Sequence, residues 1–177
     1  QSYRDDHEIT HEQFLEKLKA ASILPKTSAP PPALYHPIYQ EAIDQDQTLI
    51  VILPSEKMSG TLRAATVARQ EFPQADVRLF DTQGIGPIQG SMTRIAIDWA
   101  KQGMPADEIL SGLASLRERQ VSYFVVDTLE YLHKNGRIGT AKALIGSVLE
   151  IKPILGISEG SIAPVESQRT RKKPSQG

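Results

Sequence analysis

The sequence predicts an α/β fold built on a doubly wound parallel sheet, followed by part of a second, smaller α/β domain. Three observations carry this prediction. Two short runs rich in β-branched residues, TLIVILP (Thr48 to Pro54) and VRLFD (Val77 to Asp81), read as strands, and the first is apolar throughout, as a parallel strand covered by helices must be. Each is followed by a stretch of helical periodicity, so strand and helix alternate. After the polar LRERQ the texture changes, and PILGI and SIAPVES flank Glu159-Gly160, an acidic-glycine turn that suits an antiparallel hairpin. We therefore expect a three-layer, Rossmann-like domain over residues 1–116. The first part of a two-layer, mixed-sheet domain follows over residues 117–177.

The elements follow in order. Thr10 is placed to cap a helix with Gln13 as its capping-box partner, and Phe14, Leu15, Leu18 and Ala21 share one face. The proline-rich PKTSAPPPALYHP excludes regular helix and central strand. Pro31 and Pro32 then open a helix that turns Leu34, Ile38 and Tyr39 inward. After SEKMSG, a helix aligns Thr61, Ala64, Ala65, Ala68 and Phe72. TQGIGP leads into another carrying Ile88, Met92, Ile95, Ala96 and Trp99. Gly103 ends that helix, and Pro105 starts the next, with Ile109, Leu110, Leu113 and Leu116 inward. VSYFVVD (Val121 to Asp127) is the next strand, and LEYLHKNGRIG is a short helix ended by Gly136. Ala141, Leu144, Ile145, Val148 and Leu149 again have helical spacing.

Composition narrows the function. With 177 residues, 40% hydrophobic and 23% charged, the chain is ordinary globular material. Twenty Lys and Arg against 21 Asp and Glu leave a net charge of -1, which argues against a general binder of nucleic acid or anionic membrane. The absence of cysteine removes disulfides, thiolate metal sites and cysteine nucleophiles. QSYRDDHEIT has neither a basic n-region nor an apolar h-region, and no apolar run approaches the roughly 20 residues of a spanning helix, so a cytoplasmic protein is expected. The chain begins in an acidic, turn-like stretch and stops after a basic run, so neither end reads as a natural terminus.

Several motifs bear on chemistry. His7-Glu8-Ile9-Thr10-His11 matches the H-E-x-x-H zinc pattern, but Thr10 as helix cap leaves His7 outside the helix and His11 in its first turn, so the ligands do not converge. No metal site is expected. Gly84-Ile85-Gly86-Pro87-Ile88-Gln89-Gly90 stands where a dinucleotide loop would, yet it is one residue too long and Pro87 lacks an amide; a tight strand-to-helix turn is the better reading. Ser59, in Met58-Ser59-Gly60-Thr61, opens a helix whose unpaired amides favour an anion, although a plain capping role explains it equally. Its context is not that of a nucleophile elbow. Thr27-Ser28 is a polar pair in a proline-stiffened loop. Arg137 lies between Gly136 and Gly139 on backbone able to bend around a ligand. Together these supply hydroxyls, amides and a guanidinium, which suit a carboxylate or phosphate. Arg169-Thr170-Arg171-Lys172-Lys173 is a basic run that reads as a solvated strand end or, more sharply, as a docking patch for an acidic partner.

PKTSAPP, MSGT, VVDTLEYLHKNGRIG, IKPIL and RTRKK, in this order, resemble the DegV-like fatty-acid-binding family, from about Tyr3 to Lys173. The resemblance implies a two-domain α/β protein, not itself an enzyme and without a cofactor, that holds a long-chain fatty acid in a tunnel with its carboxylate near the domain junction. It further implies presentation of that acid to the ATP-binding subunit of a fatty-acid kinase, which phosphorylates the carboxylate. Carried over by motif, Thr27 and Ser59 hydrogen-bond the carboxylate and Arg137 sits close to it. Ser28, Gly60, Thr61 and Gly139 shape the site, and Arg169, with Arg171 and Lys172, faces the kinase subunit. Ile85, Met92, Leu144 and Ile145 are candidates for tunnel wall. Transient membrane contact fits this reading; nucleic acid does not. The chain departs from the family in lacking an opening strand with an Asp-Ser pair and a histidine-containing glycine-rich loop of the C-terminal half-domain. It also has Pro54 where a serine is usual, and DTQGIGP in place of the common Asp-Ser turn. Two other readings stand beside it. One is a phosphate- or nucleotide-using α/β enzyme acting through the Ser59 helix terminus and the Gly84 loop. The other is a folding or interaction remnant without ligand.

Overall fold

β1 (Leu49–Leu53) and β2 (Val77–Asp81) run parallel, Leu49 opposite Val77 and Leu53 opposite Asp81, in a computed structural model that describes residues 2–4, 8–145 and 152–165. Strand alternation divides their side chains between two layers. On one face Leu49, Val51, Val77 and Leu79 pack against Tyr39 of α2 (His36–Asp44) and Ala68 of α3 (Thr61–Gln70). On the other, Ile50, Ile52 and Phe80 meet Met92 and Ala96 of α4 (Pro87–Lys101) and Ile109 and Leu113 of α5 (Ala106–Arg119). Helices therefore cover both faces of the parallel pair, the doubly wound arrangement expected from continuous apolar strands.

The second sheet is built from β3 (Tyr123–Val125), β4 (Ile154–Ser158) and β5 (Ser161–Pro164) in the order β3-β4-β5. Its strand pairs are antiparallel, and no parallel member of a mixed sheet lies among the described residues. Glu159 and Gly160, at φ 47° and 78°, make the β4–β5 turn with both central residues left-handed, as a type I′ two-residue hairpin turn requires. The core of this half is Leu155, Ile162, Ile138 and Ala141, with Phe124 and Leu132 beside it. A short helix α6 (Glu130–Lys134) ends at Gly136, whose φ of +71° lets its own N–H and that of Arg137 reach back to the carbonyls of His133 and Leu132.

At the N-terminus, α1 (His11–Ala20) has the expected capping box, with Thr10 Oγ1 accepting from the Gln13 N–H and Gln13 Oε1 from the Thr10 N–H. None of its side chains is buried. Two expectations need correction. Pro32 opens a 3-10 turn (Pro32–Leu34), not an α-helix, so the phase of α2 is counted from His36. Tyr39 and Ala42 then point inward, while Leu34 and Ile38 remain 52% and 50% exposed. The helical spacing from Ala141 begins as a 3-10 helix (Gly139–Leu144) that ends at an extended Ile145; Val148 and Leu149 lie outside the described residues.

Tyr39 anchors the α2 layer. Its ring is fully buried, packed edge-on against Phe72 at 6.0 Å, and its hydroxyl donates to the Ala65 carbonyl at 3.2 Å. Burial, reinforced by the neighbouring Tyr35, pushes its pKa up from the ordinary 10 to about 12. The folded state thus resists ionisation more than the unfolded chain does, so this contribution to stability is complete below pH 10 and is lost as pH rises from 10 towards 12. Tyr39→Phe should cost about 1 kcal/mol at neutral pH, the size of one buried hydrogen bond. In urea titrations through that alkaline range its stability should fall less steeply than the parent's. Equal slopes would show that Tyr39 ionisation does not couple to unfolding.

Candidate functional site

Ser55 opens the loop that leads from β1 into α3, and it is fully buried. Its N–H donates to the Gly84 carbonyl at 2.8 Å, and its hydroxyl donates to the Gly160 carbonyl in the β4–β5 turn at 2.6 Å. Its own carbonyl accepts from the N–H groups of Met58 and Ser59, at 3.1 and 2.9 Å, closing a tight turn. That turn sends the Met58 side chain into the second core, beside Ile138, Ala141, Leu155 and Ile162. The loop therefore belongs to both sheets.

Ser59 is not the cap of α3. Gly60 occupies that position, without a side-chain cap. The Ser59 hydroxyl stands one residue earlier, 2.7 Å from the Thr61 hydroxyl, and accepts from the Thr61 N–H at 3.3 Å. Two hydroxyls are thus paired at the start of a helix, where the unpaired amides and the macrodipole favour negative charge.

Arg137 comes to this loop from 79 residues away. Its Nε donates at 3.3 Å to the carbonyl of Met58, the residue before Ser59, and its Nη1 to the Asn135 carbonyl at 2.6 Å, and the side chain stays exposed. Gly139 has a different reason to be glycine than approach to a ligand. At φ +55°, a Cβ there would stand 2.0 Å from the Ile162 carbonyl oxygen, so it lets the Arg137 segment lie on β5. Thr27 and Ser28 are exposed, and Ala29 of the same loop lies 3.5 Å from where a Cβ on Gly60 would be. The structure thus gathers the Thr27-Ser28 loop, Ser59-Gly60-Thr61 and the Arg137-Gly139 segment. Arg169, Arg171 and Lys172 lie outside the described residues.

The Gly84 loop serves the fold. The Gly84 N–H donates to Thr82 Oγ1 at 3.2 Å, its carbonyl takes the Ser55 N–H, and a Cβ on it would meet Ile88 Cγ2 at 2.4 Å. The amides of Ile88 and Gly90 are also engaged inside the turn. This is the tight turn expected, not a phosphate cradle. Asp81, at the end of β2, spends its carboxylate on the N–H groups of Gln83 and Glu56, at 2.8 and 3.4 Å. Arg117 and Gln120, at the end of α5, hold the carbonyls of Asp81 and Thr82 at 3.0 and 2.9 Å. Just outside β3 and β4, Lys152 pairs with Asp127 at 2.5 Å and holds its carboxyl below the usual carboxylate range.

Among the candidates for tunnel wall, Met92 is core under α4, and Leu144 packs on the second core. Ile85 and Ile145 are at the surface. An open cavity of about 430 Å³ lies between β1 and α4, lined by Thr48, Ile50, Ile52, Thr93, Ile97 and Met104 among others, and no residue of the Ser59 loop lines it. Among the described residues no group of three or more His, Asp or Glu converges to hold a metal ion. Sequence reasoning missed Ser55, Met58 and Gly160. A polar residue at a strand end and a glycine in a turn are too common to signal a site, and they matter only once the two sheets meet.

The comparisons with known proteins fit this geometry. The DegV family model matches residues 1–176. Protein DegV of Bacillus subtilis is 34% identical over 174 residues, covering 98% of this chain and 62% of that protein. A DegV family protein from Thermus thermophilus, described for fatty acid binding, superposes with a TM-score of 0.85 at 35% identity, over 92% of this chain and 58% of that one. The fatty acid binding DegV family protein of Streptococcus agalactiae gives a TM-score of 0.81 at 28% identity, over 93% and 60%. The chain thus spans about three fifths of the length of these relatives. With the match running essentially end to end and the parallel and antiparallel sheets superposing on solved members, this chain belongs to the DegV family.

Proposed function

We propose that the chain binds a long-chain fatty acid, with the carboxylate held between the Ser59–Thr61 hydroxyl pair, Thr27 and Arg137. The observation that carries this reading is the docking of Arg137 on the carbonyl of Met58, the residue that directly precedes Ser59 and its hydroxyl pair at a helix start. The solved relatives described as fatty acid binding support it. In this role the Thr61 O–H donates to Ser59 Oγ and the Ser59 O–H to a carboxylate oxygen, a chain in which each bond polarises the next. Thr27 donates to the carboxylate from the facing loop. Arg137 adds charge in an exposed setting where salt weakens it, so it selects for an anion more than it adds affinity. Ser28, Gly60 and Gly139 keep the three segments close. The acyl chain supplies most of the affinity, at about 0.8 kcal/mol for each buried CH₂.

The wider role follows from the same reading. The protein is a cytoplasmic carrier without a cofactor, and not an enzyme. It is divided near residues 116 and 117 into a larger three-layer domain and a smaller second one. It presents the bound acid to the ATP-binding subunit of a fatty-acid kinase, with Arg169, Arg171 and Lys172 on the docking side. Neutral hydroxyls suit such a task, because they orient a carboxylate without neutralising the oxygen that must attack a phosphoryl group.

Mass spectrometry of an organic extract from the purified protein should find a long-chain fatty acid, and added fatty acid should raise the melting temperature. Nucleotides should not. A nucleotide shift without a fatty-acid shift would favour an enzyme working through the Ser59 helix terminus instead. Ser59→Ala should weaken fatty-acid binding about tenfold while lowering stability by about 1 kcal/mol or less. Arg137→Ala should weaken binding mainly at low salt. Binding like the parent's in both variants would remove these residues from the site. Arg169→Ala should slow phosphorylation by the kinase subunit without changing fatty-acid affinity in a displacement titration; an unchanged rate would place the docking surface elsewhere.

A further inference from the structure

We infer that Ser55 is a positioning residue for the carboxylate site, transmitting the placement of the β4–β5 turn to Ser59. This rests on the fatty-acid reading above and deepens it. Ser55 touches no part of the proposed ligand position, yet each of its polar groups is committed to holding the loop. Its hydroxyl donates across 105 residues of sequence to the Gly160 carbonyl at 2.6 Å, with both residues buried. Its carbonyl receives the Ser59 N–H at 2.9 Å, and its N–H is fixed on Gly84 at 2.8 Å. One hydrogen-bonded path therefore runs from the turn of the second sheet, through Ser55, to the backbone of the residue that meets the carboxylate.

The fit at the turn is close. A Cβ on Gly160 would stand 2.7 Å from Ser55 Oγ, so the turn leaves no room for a larger residue facing that hydroxyl. Met58, seated in the second core, and Arg137, donating to the Met58 carbonyl, hold the far side of the same loop. With the Ser55 tie removed, Gly160 keeps a buried carbonyl without this donor, and the loop is held to the second sheet only from the Met58 side. The hydroxyl of Ser59 then loses its fixed distance from Arg137. A loosened site of this kind still accepts an acyl chain, because apolar burial is non-directional, but it recognises the carboxylate less well.

Head-group selectivity separates positioning from general destabilisation. Palmitic acid and hexadecanol share the chain and differ only at the head, so displacement of a fluorescent fatty acid by each gives a ratio of affinities. Ser55→Ala should lower the acid-to-alcohol ratio about fivefold, the worth of one well-placed hydrogen bond, with hexadecanol affinity nearly unchanged. Ser55→Cys, close in volume but a weak donor, should lower it less and serves if the alanine variant fails to fold. Tyr39→Phe, remote from the site, should leave the ratio at the parent value, as a merely destabilising change does. A parent that prefers the acid and a Ser55 variant that keeps the full preference overturn the positioning role alone. A parent without any preference for the acid overturns the carboxylate reading, and this inference with it.

Discussion

The hydrogen bond from the Ser55 hydroxyl to the Gly160 carbonyl is the polar contact on which the joint between the two sheets depends. It is buried, and it spans most of the chain. A short distance along the same loop, Met58 adds an apolar contact to the second core. A polar tie alone would contribute little net stability, and an apolar contact alone would allow sliding. Together they fix the loop in position and in direction. Three parts of the candidate site hang from that loop: the Ser59–Thr61 hydroxyl pair, the α3 start, and the carbonyl on which Arg137 docks.

The electrostatic design around the loop is economical. The Asp81 carboxylate, at the end of β2, accepts the N–H groups of Gln83 and Glu56, whose dipoles offset part of its negative charge. Those bonds brace the end of β2, while Arg117 and Gln120 brace its carbonyls from α5. The loop exposes Glu56 and Lys57, which oppose one another in charge, beside the half-buried hydroxyls of Ser59 and Thr61, and the Arg137 side chain is exposed as well. In the proposed role the Arg137 guanidinium and the neutral hydroxyls favour an anion without burying a charge, which would be costly without a permanent partner.

Much of the fold was readable in the residues. TLIVILP and VRLFD announce parallel strands because both faces of β1 must be apolar when helices cover them. The capping box at Thr10 and Gln13, the Gly136 helix end and the Glu159-Gly160 turn were legible because they are local: a few neighbouring residues satisfy their own backbone groups. Leu34 and Ile38 were misread for a related reason. A single 3-10 turn after Pro31 resets the helical phase, and periodicity cannot register that offset. At the site, Ser59 and Arg137 stood out by residue type and by the family resemblance, but the docking of Arg137 on the Met58 carbonyl carried no local signal.

The sequence by itself therefore determined the strands, the turns, most helix boundaries and the chemical types offered to a ligand, because these follow from short-range backbone constraints and hydrophobic periodicity. The tertiary structure alone decided which of those groups converge. Ser55 carries no special signal as a residue, Gly160 signals a turn but not its tie to Ser55, and Gly139 reads as backbone bent around a ligand until its approach to Ile162 shows that it is a packing necessity. Contacts across 79 and 105 residues of chain depend on how two sheets dock, and docking is set by the summed burial of both cores, which no local pattern encodes.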